Sequence, residues 1–126
     1  TGRPRRVGWL DLVQVRQAVR ANGLTEIALT KLDILSGISA LPVCHSYKVK
    51  SKEIKEMPAS LSLFRSAEPV YETLEGWCKL TPDMIEKGFN ALPNTLQAYV
   101  KYIEDQVDCP VNIISMGPQR HETIIR

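Results

Sequence analysis

The chain has 126 residues, 44% apolar and 24% charged, the proportions of an ordinary globular domain with a modest core. Its formal net charge of +2 is too small to call for a nucleic-acid partner, and no apolar run reaches the length of a membrane helix or a signal-peptide core. Three widely spaced cysteines, Cys44, Cys78 and Cys109, form no CxxC or Cys/His ligand pair, so neither a disulfide framework nor a structural zinc site is expected. Reduced, structural thiols favour the cytoplasm.

The chain opens on Thr1-Gly2-Arg3 without an initiator Met and is expected to be a piece of something longer. Thr1 to Gly8 reads as a Gly- and Arg-rich loop. Asp11 to Asn22 follows as a helix, with Leu12, Val15 and Val19 near one face, Asp11 at its start and Asn22-Gly23 as its stop. Ile27 to Thr30 is a buried strand, with Lys31-Leu32-Asp33 at its end. Leu41 to Val49 is a second strand, turned at Ser51-Lys52 into a third, Glu53 to Met57, to make a β-hairpin. Ala59 to Phe64 reads as a short helix and Pro69 to Leu74 as a strand that turns out at Glu75-Gly76-Trp77. Thr81-Pro82-Asp83 starts a helix, since proline at the first helical position loses no hydrogen bond. Pro93 to Val107 is the clearest helix, with Leu96, Tyr99, Val100, Ile103 and Val107 at three- and four-residue steps. Val111 to Ser115 is a buried strand, Met116-Gly117-Pro118 a turn, and Thr123 to Ile125 a last short strand. That order predicts a mixed α/β (α+β) layer with a β-hairpin and two main helices.

Five arginines, Arg3, Arg5, Arg6, Arg16 and Arg20, fall in the first twenty residues, a local basic cluster of the kind that attracts phosphate or carboxylate. Guanidinium groups hold those anions in bidentate fashion, and Gly2 lets backbone approach a ligand closely. The same residues also fit a solvated basic loop paired with surface acids. At the strand end, Asp33 could accept two hydrogen bonds from guanine, from N1–H and the 2-amino group, while the Lys31 stem lay across the base. Unaided, the triplet reads instead as a helix cap at Asp33 beside an exposed Lys31. Ser115-Met116-Gly117-Pro118 offers backbone N–H groups and a hydroxyl suited to a base carbonyl, and equally fits a plain turn. His121 reads as a surface residue, and Trp9 and Trp77 as core or loop anchors. No Ser-His-Asp set, paired carboxylates or phosphate-cradling glycine loop can be assembled.

Taken in order, five stretches carry a resemblance: Thr1-Gly2-Arg3-x-Arg5-Arg6, Gly8-Trp9-Leu10-Asp11, Leu29-Thr30-Lys31-Leu32-Asp33, Tyr71-Glu72-Thr73-Leu74-x-Gly76-Trp77 and Ile113-Ile114-Ser115-x-Gly117-Pro118 with Glu122-Thr123 beyond. Together they resemble the C-terminal region of the adenylosuccinate synthetase family over essentially the whole chain. The resemblance implies a GTP-dependent ligase that joins IMP and L-aspartate through a 6-phosphoryl-IMP intermediate, in the AMP branch of purine biosynthesis. It implies aspartate and IMP contacts at Thr1, Gly2, Arg3 and Arg5. GTP contacts are implied at Arg5, Lys31, Leu32, Asp33, Ser115, Met116 and Gly117. Two departures stand out. Met116 occupies a position where the family commonly has Thr, leaving backbone donors available, and Pro4 one where a basic residue is common. The family's phosphate loop, catalytic Asp and His, and Mg²⁺ ligands are not among these residues, so no catalytic or metal-binding residue is assigned here. The segment alone is expected to be inactive, to depend on the rest of its own chain, and to belong to a homodimer when that chain is complete. A rival reading is a stand-alone module that binds anions or nucleic acid through Arg3, Arg5 and Arg6.

Overall fold

A computed structural model describes residues 2–126. The described residues form seven strands and four α-helices in the order β1 (Leu10–Asp11), α1 (Leu12–Asn22), β2 (Ile27–Leu29), β3 (Ala40–Val49), β4 (Lys52–Ile54), α2 (Leu61–Arg65), β5 (Glu68–Glu75), α3 (Pro82–Glu86), α4 (Asn94–Val107), β6 (Val111–Ser115) and β7 (Thr123–Ile125). This is the mixed α/β architecture expected. Two sheets organise it. In the first, β3 pairs antiparallel with β5 along one side, while β1 (parallel) and β4 (antiparallel) also pair with it. In the second, β6 lies between β2, parallel to it, and β7, antiparallel.

Local signals account for the helix ends. The Asp11 carboxylate accepts the backbone N–H groups of Val13 at 3.0 Å and Gln14 at 3.2 Å, satisfying two donors that an α-helix leaves free in its first turn. Gly23, at φ 60°, closes α1 with its N–H on the Val19 carbonyl. Thr81 caps α3, with Pro82 at its start. In α4, Leu96, Tyr99, Val100, Ile103 and Val107 are all buried, the five positions that the helical period selects.

The main core joins that face of α4 to Leu12, Leu41, Val43, Trp77, Val111 and Ile114. A smaller cluster holds Val13, Cys44, Tyr47 and Val49. Strand β3 serves both, because its pairing with β5 slips between Cys44 and Ser46. An extra residue in one strand reverses which face the following side chains take, so Leu41 and Val43 enter one cluster and Tyr47 and Val49 the other. Helix α1 likewise faces two ways, with Leu12 in the main core and Val13 in the smaller one.

The hairpin forms, but one residue earlier and shorter than its expected form. Lys50 and Ser51 both take positive φ, 48° and 68°, and make the two-residue turn. Strand β4 ends at Ile54 because the next carbonyl, that of Lys55, accepts from the Arg16 guanidinium at 2.5 Å, and Pro58 has no N–H to extend the ladder. Arg16 also donates to the carbonyls of Gln106 at 2.8 Å and His45 at 3.4 Å, tying α1 to the end of α4 and to β3. Sequence reading passed over strand β1, whose two residues show no alternation.

Candidate functional site

Parallel pairing of β2 with β6, in register at Leu29 and Ile114, makes both strands end on the same side. The loop after Leu29 and the turn after Ser115 therefore leave the sheet side by side, at the carboxyl ends of strands, where α/β folds place ligand sites. Between them and the segment leading through α3 opens a cavity of about 540 Å³. Asp33 and Ser36 line it from the first loop, Lys79, Leu80, Pro82, Ile85 and Glu86 from the second segment, and Met116, Gly117, Pro118, His121 and Glu122 from the turn.

Backbone contacts fix the first loop. Lys31 takes the left-handed conformation at φ 69°, which turns the chain out of β2. Leu32 then enters the core at 1% exposure. Its carbonyl accepts the indole N–H of Trp77 at 3.3 Å, and the Gly37 N–H donates to the Trp77 carbonyl at 2.8 Å. Gly76 lies so close to the Ile38 carbonyl that a side chain there would overlap it. Asp33 caps no helix, correcting the reading of the bare triplet. Its carbonyl instead accepts the Ser36 N–H at 3.1 Å, closing a β-turn. Two side-chain atoms of that turn, Asp33 Oδ1 and Ser36 Oγ, are buried without a hydrogen-bond partner. Leaving a buried acceptor unpaired costs on the order of 1–3 kcal/mol, and a carboxylate more. Such atoms in a cavity wall suit a ligand that brings N–H groups.

The turn after β6 is more committed than its sequence suggests. Met116 is 2% exposed, and its N–H donates to the Glu122 carbonyl at 2.9 Å, so that donor is already in use. This corrects the expectation that its backbone donors are free. Ser115 Oγ donates to the Gly117 carbonyl at 3.2 Å, leaving the hydroxyl an acceptor only. The Glu122 carboxylate lies against Gly117, where a Cβ would overlap it, and it accepts the Gln119 N–H at 2.7 Å. That arrangement belongs to the capping box of a short 3₁₀ turn, Arg120–Glu122, which holds the turn's shape.

Lys31 and Asp33 flank Leu32 on different surfaces. Lys31 is exposed and lines a second cavity, of about 220 Å³, with Thr30, Leu32 and the base of the arginine loop, Gly8 to Leu10. Tyr99 lines it too, and burial pushes its phenol up to about 12, so the ring stays neutral. Of the five early arginines, two are taken up structurally: Arg16 binds the three carbonyls above, and Arg20 pairs with Glu56 at 2.5 Å. Gly2, Arg3, Pro4, Arg5 and Arg6 are exposed, and among the described residues none of these arginines forms an ion pair. The expectation for Thr1 lies outside the described residues.

Sequence reasoning missed the far wall of the larger cavity. Thr81-Pro82-Asp83 was legible as a helix start, but nothing local showed that Pro82 and Ile85 would face the Asp33 loop. Ser36, Glu122 and His121 were missed for the same reason, although His121 is exposed as expected. Trp77 is the loop anchor anticipated, whereas Trp9 is 46% exposed. Cys44 and Cys109 are buried free thiols, and Cys78 is free but exposed.

The parallel strand ends and the cavity between their loops define an α/β protein with its candidate site at the carboxyl edge of a sheet. The family model of adenylosuccinate synthetase matches residues 1–124, and the chain belongs to that family. It is 46% identical over 125 residues to the adenylosuccinate synthetase of Caldanaerobacter subterraneus subsp. tengcongensis, covering 99% of this chain and 29% of the relative. To that of Streptomyces coelicolor it is 49% identical, covering 98% of this chain and 29% of the relative. The structure of fully ligated adenylosuccinate synthetase from Plasmodium falciparum matches with a TM-score of 0.87 at 32% identity, covering 98% of this chain and 30% of the other. The chain thus spans about three-tenths of the length of the relatives it matches. The relatives described above all carry the synthetase name, and none of them supports a stand-alone anion- or nucleic-acid-binding module.

Proposed function

We propose that this chain is the C-terminal, guanine- and aspartate-contacting segment of a GTP-dependent ligase that joins IMP to L-aspartate to give adenylosuccinate. One observation carries the reading: Asp33 Oδ1 is buried and unpaired in a residue lining a 540 Å³ cavity between two parallel strand ends. A carboxylate there can accept guanine N1–H and a 2-amino hydrogen together, a pair adenine does not offer, so it selects GTP over ATP. Gly117, Ser115 and Met116 then form the opposite side of the base site, with the Met116 N–H already used by the Glu122 carbonyl. Lys31 and Leu32 lead into Asp33 from the strand end, Leu32 buried and Lys31 on the surface of the smaller cavity. Exposed Arg3 and Arg5, with Thr1 and Gly2, hold the carboxylates of aspartate and face IMP, as planar guanidinium groups do best in bidentate contacts.

Mg²⁺ belongs to the same proposal, but the described residues do not fit it: among them no three His, Cys, Asp or Glu side chains stand together as a ligand set. We assign its ligands, and the groups that handle the transferred phosphoryl, to the remaining length of a relative-sized chain, and place the complete homodimeric enzyme in the cytoplasm. Among the described residues no helix is long and apolar enough to cross a membrane. The test is direct. In the full-length protein, Asp33→Ala should weaken GDP binding at least about tenfold, the loss expected when a charged acceptor is removed. GDP binding unchanged by that substitution would refute the base site. Residues 1–126 alone should form no adenylosuccinate from IMP, aspartate and GTP, and turnover by that segment would overturn the assignment of the chemistry elsewhere.

A further inference from the structure

We infer that Ser36 is a second base-reading contact in this cavity, its hydroxyl accepting the outer hydrogen of the guanine 2-amino group. The inference rests on the guanine reading above and extends it to a residue that no sequence motif singles out. Asp33 and Ser36 are the first and last residues of one hydrogen-bonded β-turn, joined by the 3.1 Å bond from the Ser36 N–H to the Asp33 carbonyl, so their side chains start from Cα atoms within about 7 Å. Both residues line the larger cavity, and each has a buried side-chain oxygen without a partner. A serine hydroxyl rotates freely and could have donated to the neighbouring carboxylate, yet no such bond forms.

Across the cavity, two polar groups of the turn after β6 are engaged within the protein. Met116 N–H is on the Glu122 carbonyl, and the Glu122 carboxylate is on the Gln119 N–H. Ser36 is left as the uncommitted hydroxyl beside an uncommitted carboxylate oxygen. The ligand edge that matches them carries three N–H bonds in a row. Guanine has that edge: N1–H and the inner 2-amino hydrogen can go to the two Asp33 oxygens, and the outer 2-amino hydrogen remains for an acceptor beside them. Hypoxanthine keeps N1–H but lacks the amino group, so Ser36 would have nothing to accept from it. The assigned role is therefore to separate guanine from hypoxanthine nucleotides, whereas Asp33 separates guanine from adenine. That distinction matters at a site whose proposed enzyme also handles IMP.

Calorimetric titration of the full-length protein with GDP and with IDP tests this in the parent, Ser36→Ala, Ser36→Thr and Asp33→Ala. Ser36→Ala should weaken GDP about fivefold, the worth of one net hydrogen bond, and leave IDP within about twofold. Ser36→Thr retains the hydroxyl and should keep the parent ratio of GDP to IDP affinity. Equal losses for the two nucleotides in Ser36→Ala would make Ser36 a structural residue, and no loss for either would remove it from the site; both overturn the inference. If Asp33→Ala weakens GDP while Ser36→Ala does not, this inference alone fails. If Asp33→Ala leaves GDP untouched, the guanine reading falls and takes the inference with it.

Discussion

The indole N–H of Trp77 donates to the Leu32 carbonyl at 3.3 Å, so a residue just past β5 sets the position of the residue before Asp33. Trp77 is 3% exposed and its ring meets that of Tyr99 edge-on at 5.2 Å, which places the anchor inside the core. Trp77→Phe keeps an aromatic ring against Tyr99 and removes the bond. It should cost about 1–3 kcal/mol of stability, the penalty of an unpaired buried carbonyl plus a small void, and weaken GDP binding as the Asp33 loop loosens. Trp77→Ala should cost about 3–5 kcal/mol. Urea denaturation read by far-UV circular dichroism measures both, and a Phe variant as stable as the parent would show that the bond does not hold the loop.

Gly117 and Glu122 are coupled by space. A Cβ at Gly117 would overlap the Glu122 carboxylate, which itself accepts the Gln119 N–H at 2.7 Å. Gly117→Ala should therefore destabilise the protein by about 1–3 kcal/mol, because the carboxylate must leave its hydrogen bond or the turn must widen. In a Glu122→Ala background the same change meets little and should cost a few tenths. Strict additivity in that double-mutant cycle would contradict the contact.

How legible all this was in the sequence depended on range. Helix α4 is written in its own periodicity, and the caps at Asp11, Gly23 and Thr81 lie within four residues of what they satisfy. Asp33 and the Ser115–Gly117 turn could be chosen because strand ends are where such residues act, and because their order resembles a family. Arg16 could not be distinguished from Arg3 by composition, since its three carbonyl partners come from positions 45, 55 and 106. The use of the Met116 N–H by Glu122, and the facing of Pro82 and Ile85 toward Asp33, are likewise tertiary facts without a local sequence mark. The bulge that lets β3 serve two clusters depends on its register with β5, which alternation within β3 does not encode.

Asp11 has two duties, capping α1 and accepting the Tyr47 hydroxyl. Asp11→Ala removes both, at about 1 kcal/mol for the cap and about 1–3 for the phenol left without a partner. Tyr47→Phe added to Asp11→Ala takes away the unpaired hydroxyl and should recover part of the loss. Further destabilisation in the double variant, as large as that of Tyr47→Phe alone, would mean the hydroxyl has another partner once Asp11 is gone.

Alkaline pH should unmask the buried phenols. Burial raises Tyr99 from 10.0 to about 12, and Tyr47 is raised further, by burial first and then by the Asp11 carboxylate it donates to. A phenol whose folded pKa lies above its unfolded value binds its proton more tightly in the folded state. The resulting stabilisation is complete below about pH 10 and is lost as pH rises through the folded values. For Tyr99 the two-unit difference corresponds to roughly 2–3 kcal/mol lost between about pH 10 and 12. Denaturation midpoints should stay level up to about pH 10 from this cause and then fall, and Tyr99→Phe should fall less steeply than the parent. Equal slopes for the two proteins would show that Tyr99 ionises in the folded state as readily as in the unfolded chain.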